Sequence, residues 1–315
     1  SWGYLGGMAP VHGLTRFRTH DLPGSRRLTG WEEHNARALV GLRAEPFGSF
    51  DGTEINLTLP RLQVARVTGT PHAVDRDVRQ IAVHPADGVV VYFSLSGENQ
   101  FSHRGGTSLI VPGQALVVDG DQPFRRTFSH GLTELVLKAP RSLLREIRPG
   151  TVKPQVFSFQ NDAHARALVT ALSGALRGGP ADWDGLESVA TDLLGTLLGG
   201  GCSAAADLAA AHAFIATHLD QDLSAGRIAA AIGYSERHLS RLFSNSGQSV
   251  PQAVLNARLD AARGMLGEPI SLAEVAARNG FVSQAHFSRT YKARFGVTPR
   301  EDRREFLPVS ATSEN

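Results

Sequence analysis

The segment LSAGRIAAAIGYSERHLSRLF, residues 223–243, returns as ISLAEVAARNGFVSQAHFSRTY, residues 270–291, with a single inserted residue. Each copy opens on an aliphatic residue and a serine placed to cap a helix, Ser224 or Ser271. Each continues with Ile228-Ala229-Ala230 or Val275-Ala276-Ala277, then Gly233-Tyr234 or Gly280-Phe281, and ends in His-(Leu/Phe)-Ser-Arg. A capped helix, a short turn containing glycine and a second capped helix make a helix-turn-helix unit. A period of about 47 residues also suits a solenoid, but solenoids need three or more stacked copies. This chain has two.

Between the copies, PQAVLNARLDAARGML (251–266) reads as one continuous helix. Pro251 suits its first turn, and Gly267 and Pro269 are stop signals. At ~1.5 Å per residue such a helix spans ~24 Å. With the width of the units added, that approaches the ~34 Å between major-groove segments on one side of B-DNA. The second helix of each unit has two faces. Phe287, Tyr291 and Phe295 recur at i, i+4 and i+8 as a buried stripe, while Ala285, Ser288, Arg289 and Lys292 share another side. In the first copy Arg237, Ser240, Arg241 and Ser244 take the same spacing. Arginine pairs bidentately with guanine, Ser or Gln bonds a base edge, and a small Ala285 suits a thymine methyl. Ser224, Ser244, Ser271, Lys292 and Arg294 are the expected phosphate contacts, which position without reading sequence. Arg294 equally suits a plain surface role, and His238 and His286, beside core positions, suit structural ones.

Charge agrees with an anionic partner. From Ser224 to Arg300 there are ten Lys or Arg against four Asp or Glu, a net +6. The whole chain carries +2, so the remainder carries −4. The 315 residues suffice for two domains. A lone cysteine, Cys202, excludes an intrachain disulfide and fits a reducing compartment. No stretch reaches the ~18 uncharged apolar residues of a membrane span. The opening SWGYLGGMAP lacks the basic start of a signal peptide, so a cytoplasmic location is expected.

The first half has a different texture. TGWEEHNARALVGL (29–42) reads as an amphipathic helix with Thr29 as N-cap. From Leu57 to Lys138 short β-type runs follow, among them RLQVARVT, GVVVYFSLSG, TSLIVPG, QALVVDG and TELVLKAP, with RGG at 104–106 as a hairpin turn. Such strands predict a barrel or jelly roll. Helices are expected over 162–177 and 184–198, separated by Gly178-Gly179-Pro180, with a flexible Gly-rich linker after them. The domains expected are 1–199, a linker 200–206, a DNA-binding domain 207–306 with helix-turn-helix units at 224–245 and 271–295, and a tail 307–315.

The segment GFVSQAHFSRTYKARFGVTPRE resembles the signature of the AraC/XylS family of bacterial transcription regulators, with Gly280, Phe281, Phe287, Arg289, Lys292, Phe295, Gly296 and Pro299 in the family's spacing. With the first copy and the linker helix, the resemblance covers about residues 207–306. By position it implies base contacts at Arg237, Ser240, Arg241, Gln284, Ala285, Ser288 and Arg289. One departure is Asp302, where the family usually has an aromatic, which questions the packing of the last turn. The N-terminal half is similar to the family's sensor domains through Trp31, SLSGENQFSHRGGTSLIVPGQALVVDGDQPF and LVLKAPRSLL.

The resemblance implies an α+β chain: a cupin-like β-barrel or jelly roll with flanking helices, then an all-α pair of helix-turn-helix units. It implies a cytoplasmic transcription regulator, an activator, with double-stranded DNA, RNA polymerase, a small organic effector and a second copy as partners. No cofactor is expected. The rival reading is a cupin enzyme with a helical appendage. Metal-dependent cupins use clustered histidines, commonly His-x-His. None of the twelve histidines forms such a pair, and His84, His103 and His130 stand apart in sequence. No nucleophile elbow, phosphate loop or zinc-ligand spacing occurs. Arg104, Asp119 and Asp121 fall near turns and suit ordinary loop roles.

Overall fold

A computed structural model describes residues 13–147, 150, 152–178, 182–199 and 203–306. The chain divides into two compact units, residues 1–206 and 207–315. The tail 307–315, Cys202 and residues 200–202 of the expected linker lie outside the described residues. The last three residues of that linker are helical, because Ser203 Oγ caps a helix that starts at Ala204.

The first unit is built on twelve strands: β1 Gly13–Arg18, β2 Arg43–Pro46, β3 Gly52–Thr58, β4 Gln63–Gly69, β5 His72–Arg76, β6 Gly88–Ser96, β7 Asn99–His103, β8 Gly106–Ile110, β9 Gln114–Asp119, β10 Phe124–Phe128, β11 Leu132–Pro140 and β12 Gln155–Ser158. They form a seven-stranded sheet, β1-β3-β4-β11-β6-β9-β12, and a five-stranded one, β2-β5-β10-β7-β8, all paired antiparallel. The jelly-roll side of the expectation holds, but the sheets do not close into a barrel. Both keep edge strands, and β8 at one edge is exposed for four of its five residues. The turn at Arg104-Gly105 joins β7 to β8 as the sequence predicts, with His103 opposite Gly106.

Inward-pointing residues of both sheets meet in one core. Ala65, Val67, Val90, Tyr92, Leu116, Val118 and Val136 come from the larger sheet, and Val74, Phe101, Ile110, Phe124 and Phe128 from the smaller. Alternation along β6 sends Val90 and Tyr92 into this core and Val89, Val91 and Phe93 to the opposite face, so its first seven residues are buried. Helices α1 (Arg27–Ala38), α2 (Val78–Val83), α3 (Arg141–Ile147), α4 (Ala163–Leu176) and α5 (Trp183–Leu197) accompany the sheets. The helix α1 starts two residues before the predicted cap Thr29. A 3-10 turn over Gly24–Arg26 leads into it, and no side chain caps it. It delivers Trp31, 4% exposed, to the core.

The second unit is helical: α6 (Ala204–Thr217, begun in the first unit), α7 (Ala225–Ala231), α8 (Glu236–Asn245), α9 (Val250–Gly264), α10 (Leu272–Arg278), α11 (Gln284–Phe295) and α12 (Pro299–Phe306). Ser249 caps α9 with Pro251 in its first turn. Around it gather Leu259, Ala262, Leu266, Val275, Ala276, Phe281, Phe287 and Tyr291.

Candidate nucleic-acid interface

Each unit of the repeat is fixed by serine caps and one glycine. Ser224 and Ser271 accept from the backbone N–H groups of Arg227 (3.2 Å) and Glu274 (3.1 Å). Ser235 and Ser283 do the same for His238 (3.3 Å) and His286 (3.2 Å), setting where α8 and α11 begin. Gly233 and Gly280 turn the chain between the helices at φ +78° and +72°, a region that favours glycine. Gly280 also passes so close to the Leu219 carbonyl that a Cβ would collide with it. Arg258 of α9 ties the same stretch down, donating to Leu219 O (3.0 Å) and Gln221 O (2.8 Å).

With the helices so placed, α8 turns Leu239, Leu242 and Phe243 inward, and Arg237, Ser240, Arg241 and Ser244 are exposed. The helix α11 buries Phe287 and Tyr291 fully, with Phe295 half-buried. Gln284, Ala285, Arg289 and Lys292 are exposed and Ser288 is half-buried. Arg241 Nη2 lies 3.1 Å from His238 Nδ1, and the His238 ring stacks on Tyr234, whose hydroxyl donates to Asp207 Oδ1 (3.0 Å). That network gives His238 a positioning role inside the unit. His286 is exposed, edge-on to Phe281.

Arg294 is differently employed. Its guanidinium donates to both carboxylate oxygens of Asp260 at 2.7 Å and to Asn256 O, clamping α11 to α9. The helix α12 is clamped by Asp302, which is 2% exposed, accepts from the Tyr291 hydroxyl, and has Arg263 Nε 3.0 Å from Oδ2. The aspartate that departs from the family pattern is thus a packed, paired group. Sequence reasoning also passed over Val282. It is the residue inserted in the second copy, and it is 100% exposed just before the Ser283 cap.

In the first unit, Asp119 and Asp121 serve the loops. Both accept from Arg141, and Asp121 also accepts from the Ala86 N–H (2.7 Å). Arg104 lines an open cleft with His103, Phe101 and Phe124. Among the described residues no three His, Cys, Asp or Glu groups lie close enough to share a metal ion. A separate cavity between the sheets is lined by Trp31, Asn35, His72, Tyr92, Arg126 and Glu134 among others.

A two-sheet sandwich with an internal cavity, joined to a duplicated helix-turn-helix, defines a DNA-binding transcription regulator with an N-terminal ligand-binding domain. Family models agree: an AraC-binding-like domain matches residues 31–226 and a helix-turn-helix domain matches residues 228–305. The chain belongs to the AraC family of transcription regulators. It is 28% identical to the transcriptional activator NphR of Rhodococcus sp over 288 residues, 85% of each chain. It is 39% identical to the HTH-type transcriptional regulator ArgR of Pseudomonas aeruginosa over 90 residues, 28% of this chain and 27% of that protein. The crystal structure of the AraC-like transcriptional activator CuxR superposes with a TM-score of 0.49 at 20% identity, covering 80% of this chain and 96% of that one.

Proposed function

We propose that α8 and α11 enter two successive major-groove segments on one side of an operator. Arg237, Ser240 and Arg241 read one segment, and Gln284, Ala285, Ser288 and Arg289 read the other. Ser224, Ser244, Ser271 and Lys292 meet phosphates, and Val282 packs on a thymine methyl or a deoxyribose. Arg294 holds α11 in place rather than serving the phosphates directly. The observation that carries the reading is the matched pair of faces. Equivalent positions of two copies are turned outward, and Arg237 and Arg289 have no hydrogen bond or ion pair among the described residues. A solvated helix face has no reason to repeat a Ser-Arg pair at the same two positions, Ser240-Arg241 in one copy and Ser288-Arg289 in the other.

The N-terminal unit binds a small organic effector. Its occupancy shifts the equilibrium between states that differ in operator affinity or in contact with RNA polymerase. The name of the relative NphR supports activation as the outcome. The working form is a homodimer in the cytoplasm, and the sandwich is a sensor rather than a cupin enzyme. Selection of bound sites from random duplexes with the full chain tests this. Two short conserved elements about one helical turn apart are expected. Enrichment without sequence preference at fixed salt would contradict it.

A further inference from the structure

Side chains alternate along a strand, so Asn99, Phe101 and His103 of β7 form one inward row. Asn99 and Phe101 are each 2% exposed, whereas His103 is half-buried, so the row leaves the core at His103. There a cleft opens between the sheets. Phe101, His103 and Phe124 of the smaller sheet line it together with Val118 and Asp119 of β9 in the larger, and Arg104 stands at its border. Register sets His103 directly opposite Phe124, and the Phe101 and Phe124 rings lie 5.9 Å apart, so one wall is aromatic. The cleft, about 270 Å³, is close to the lower end of small-molecule sites, ~300–1,000 Å³, and suits a single ring.

The polar groups of this cleft are donors. The His103 ring stacks on Phe101, centroids 5.0 Å apart, and its Nδ1 accepts from the Gly105 N–H at 3.2 Å. Gly105 lies so close that a Cβ there would stand 2.7 Å from the ring carbon Cε1. With Nδ1 accepting, the ring hydrogen is on Nε2, which has no acceptor among the described residues. Arg104, the next residue, has no hydrogen bond or ion pair among them either. Asp119 does not offset these donors, because its own oxygens are taken. Oδ1 accepts from Arg141 Nη2 (3.0 Å) and from the Asp121 N–H (3.0 Å), and Oδ2 accepts from Arg141 Nη1 (3.3 Å). A cationic ligand entering here meets a carboxylate already paired. An anion meets a free guanidinium and a fixed imidazole N–H beside an aromatic wall. One free cation balances the single charge of a carboxylate and not the nearly double charge of a phosphate.

We propose that this cleft binds a small aromatic carboxylate. The proposal rests on reading the N-terminal unit as an effector-binding domain. The carboxylate takes the planar fork of Arg104 and the Nε2–H of His103, and the ring packs on the wall made by Phe101 and Phe124.

The test uses the full chain with benzoate, phenylacetate and 3-phenylpropanoate, which carry one ring and one carboxylate at increasing reach. Benzamide keeps the ring without the charge, and acetate keeps the charge without the ring. At least one of the three acids should raise the thermal unfolding midpoint saturably, by ~2 °C or more, and benzamide and acetate should not. Arg104→Met and His103→Phe should each weaken that acid about tenfold or more in titration calorimetry, since each loses a hydrogen bond to a charged group. Arg104→Lys, which keeps the charge without the fork, should fall between Arg104→Met and wild type. Unfolding curves without ligand show that each variant is folded. Operator binding by wild type with and without the acid is read separately, and bound acid that leaves it unchanged would count against the effector reading alone. Three results would overturn the proposal: none of the three acids binding, benzamide or acetate matching them, or folded Arg104→Met binding the acid as wild type does.

Discussion

Arg263 Nε lies 3.0 Å from Asp302 Oδ2, the same oxygen that accepts the Tyr291 hydroxyl, so three helices meet at one carboxylate. Arg263 comes from α9, Tyr291 from α11 and Asp302 from α12. Burial, followed by the hydrogen bond to Asp302, pushes the Tyr291 phenol well above its ordinary value, which keeps it a donor. Arg263 also covers the Phe295 ring at 4.7 Å. Asp302→Ala removes the acceptor and leaves a fully buried hydroxyl unpaired. It should destabilise the protein by about 1–3 kcal/mol. Asp302→Asn, which still accepts, should cost less. Chemical denaturation of the two variants checks the order.

The two turn glycines have similar φ, +78° and +72°, and unequal surroundings. A Cβ on Gly233 meets open space, whereas one on Gly280 runs into Leu219 O and the Arg258 guanidinium. Gly233→Ala should therefore cost only the left-handed penalty, about 1–2 kcal/mol. Gly280→Ala should cost more, because backbone must move. Unfolding midpoints of the pair measure the difference.

Acid should loosen both units through one buried and one half-buried imidazole, His72 and His212. Burial lowers the pKa of His212, which packs edge-on against Phe243 at 5.1 Å, and lowers that of His72. A histidine whose folded pKa lies below its ordinary 6.5 takes up its proton more readily when unfolded. Stability is then full above that value and declines as pH falls from 6.5 towards the lowered folded pKa. His212→Phe should flatten part of that decline. Midpoints recorded from pH 7.5 to 5 for wild type and variant give the comparison.

Val282 should matter to DNA and not to folding. It is fully exposed, so Val282→Ala should leave the unfolding midpoint within error. It should weaken a selected operator several-fold, and the loss should shrink where uracil replaces the contacted thymine. Equal binding of both duplexes by wild type and variant would remove Val282 from the interface.

Much of this was legible because the repeat writes its geometry into local signals: a serine cap, a glycine and a stripe at fixed offsets. The strands β4, β6, β9 and β11 were legible as apolar runs. The strand β1 was not, since GLTRFR is mostly exposed. The strand β3 hid because Glu54 and Asn56 point inward and break the expected alternation. Asp302 read as a misfit because its partners sit on helices whose convergence no local pattern encodes. Arg294 read as a phosphate contact for the same reason, its acceptors lying 34 and 38 positions away.

The central claim is that the two outward faces read bases, and one comparison tests it most directly. Arg241→Ala, Arg289→Ala and Lys292→Ala are each put through binding-site selection, with an unfolding curve for each. The two arginine variants should keep wild-type stability, lose about 1–3 kcal/mol on the operator, and relax preference at base pairs about one helical turn apart. Lys292→Ala should weaken all sequences alike and shallow the salt dependence by about one unit. Arginine variants that retain both wild-type sequence preference and wild-type affinity would contradict the account.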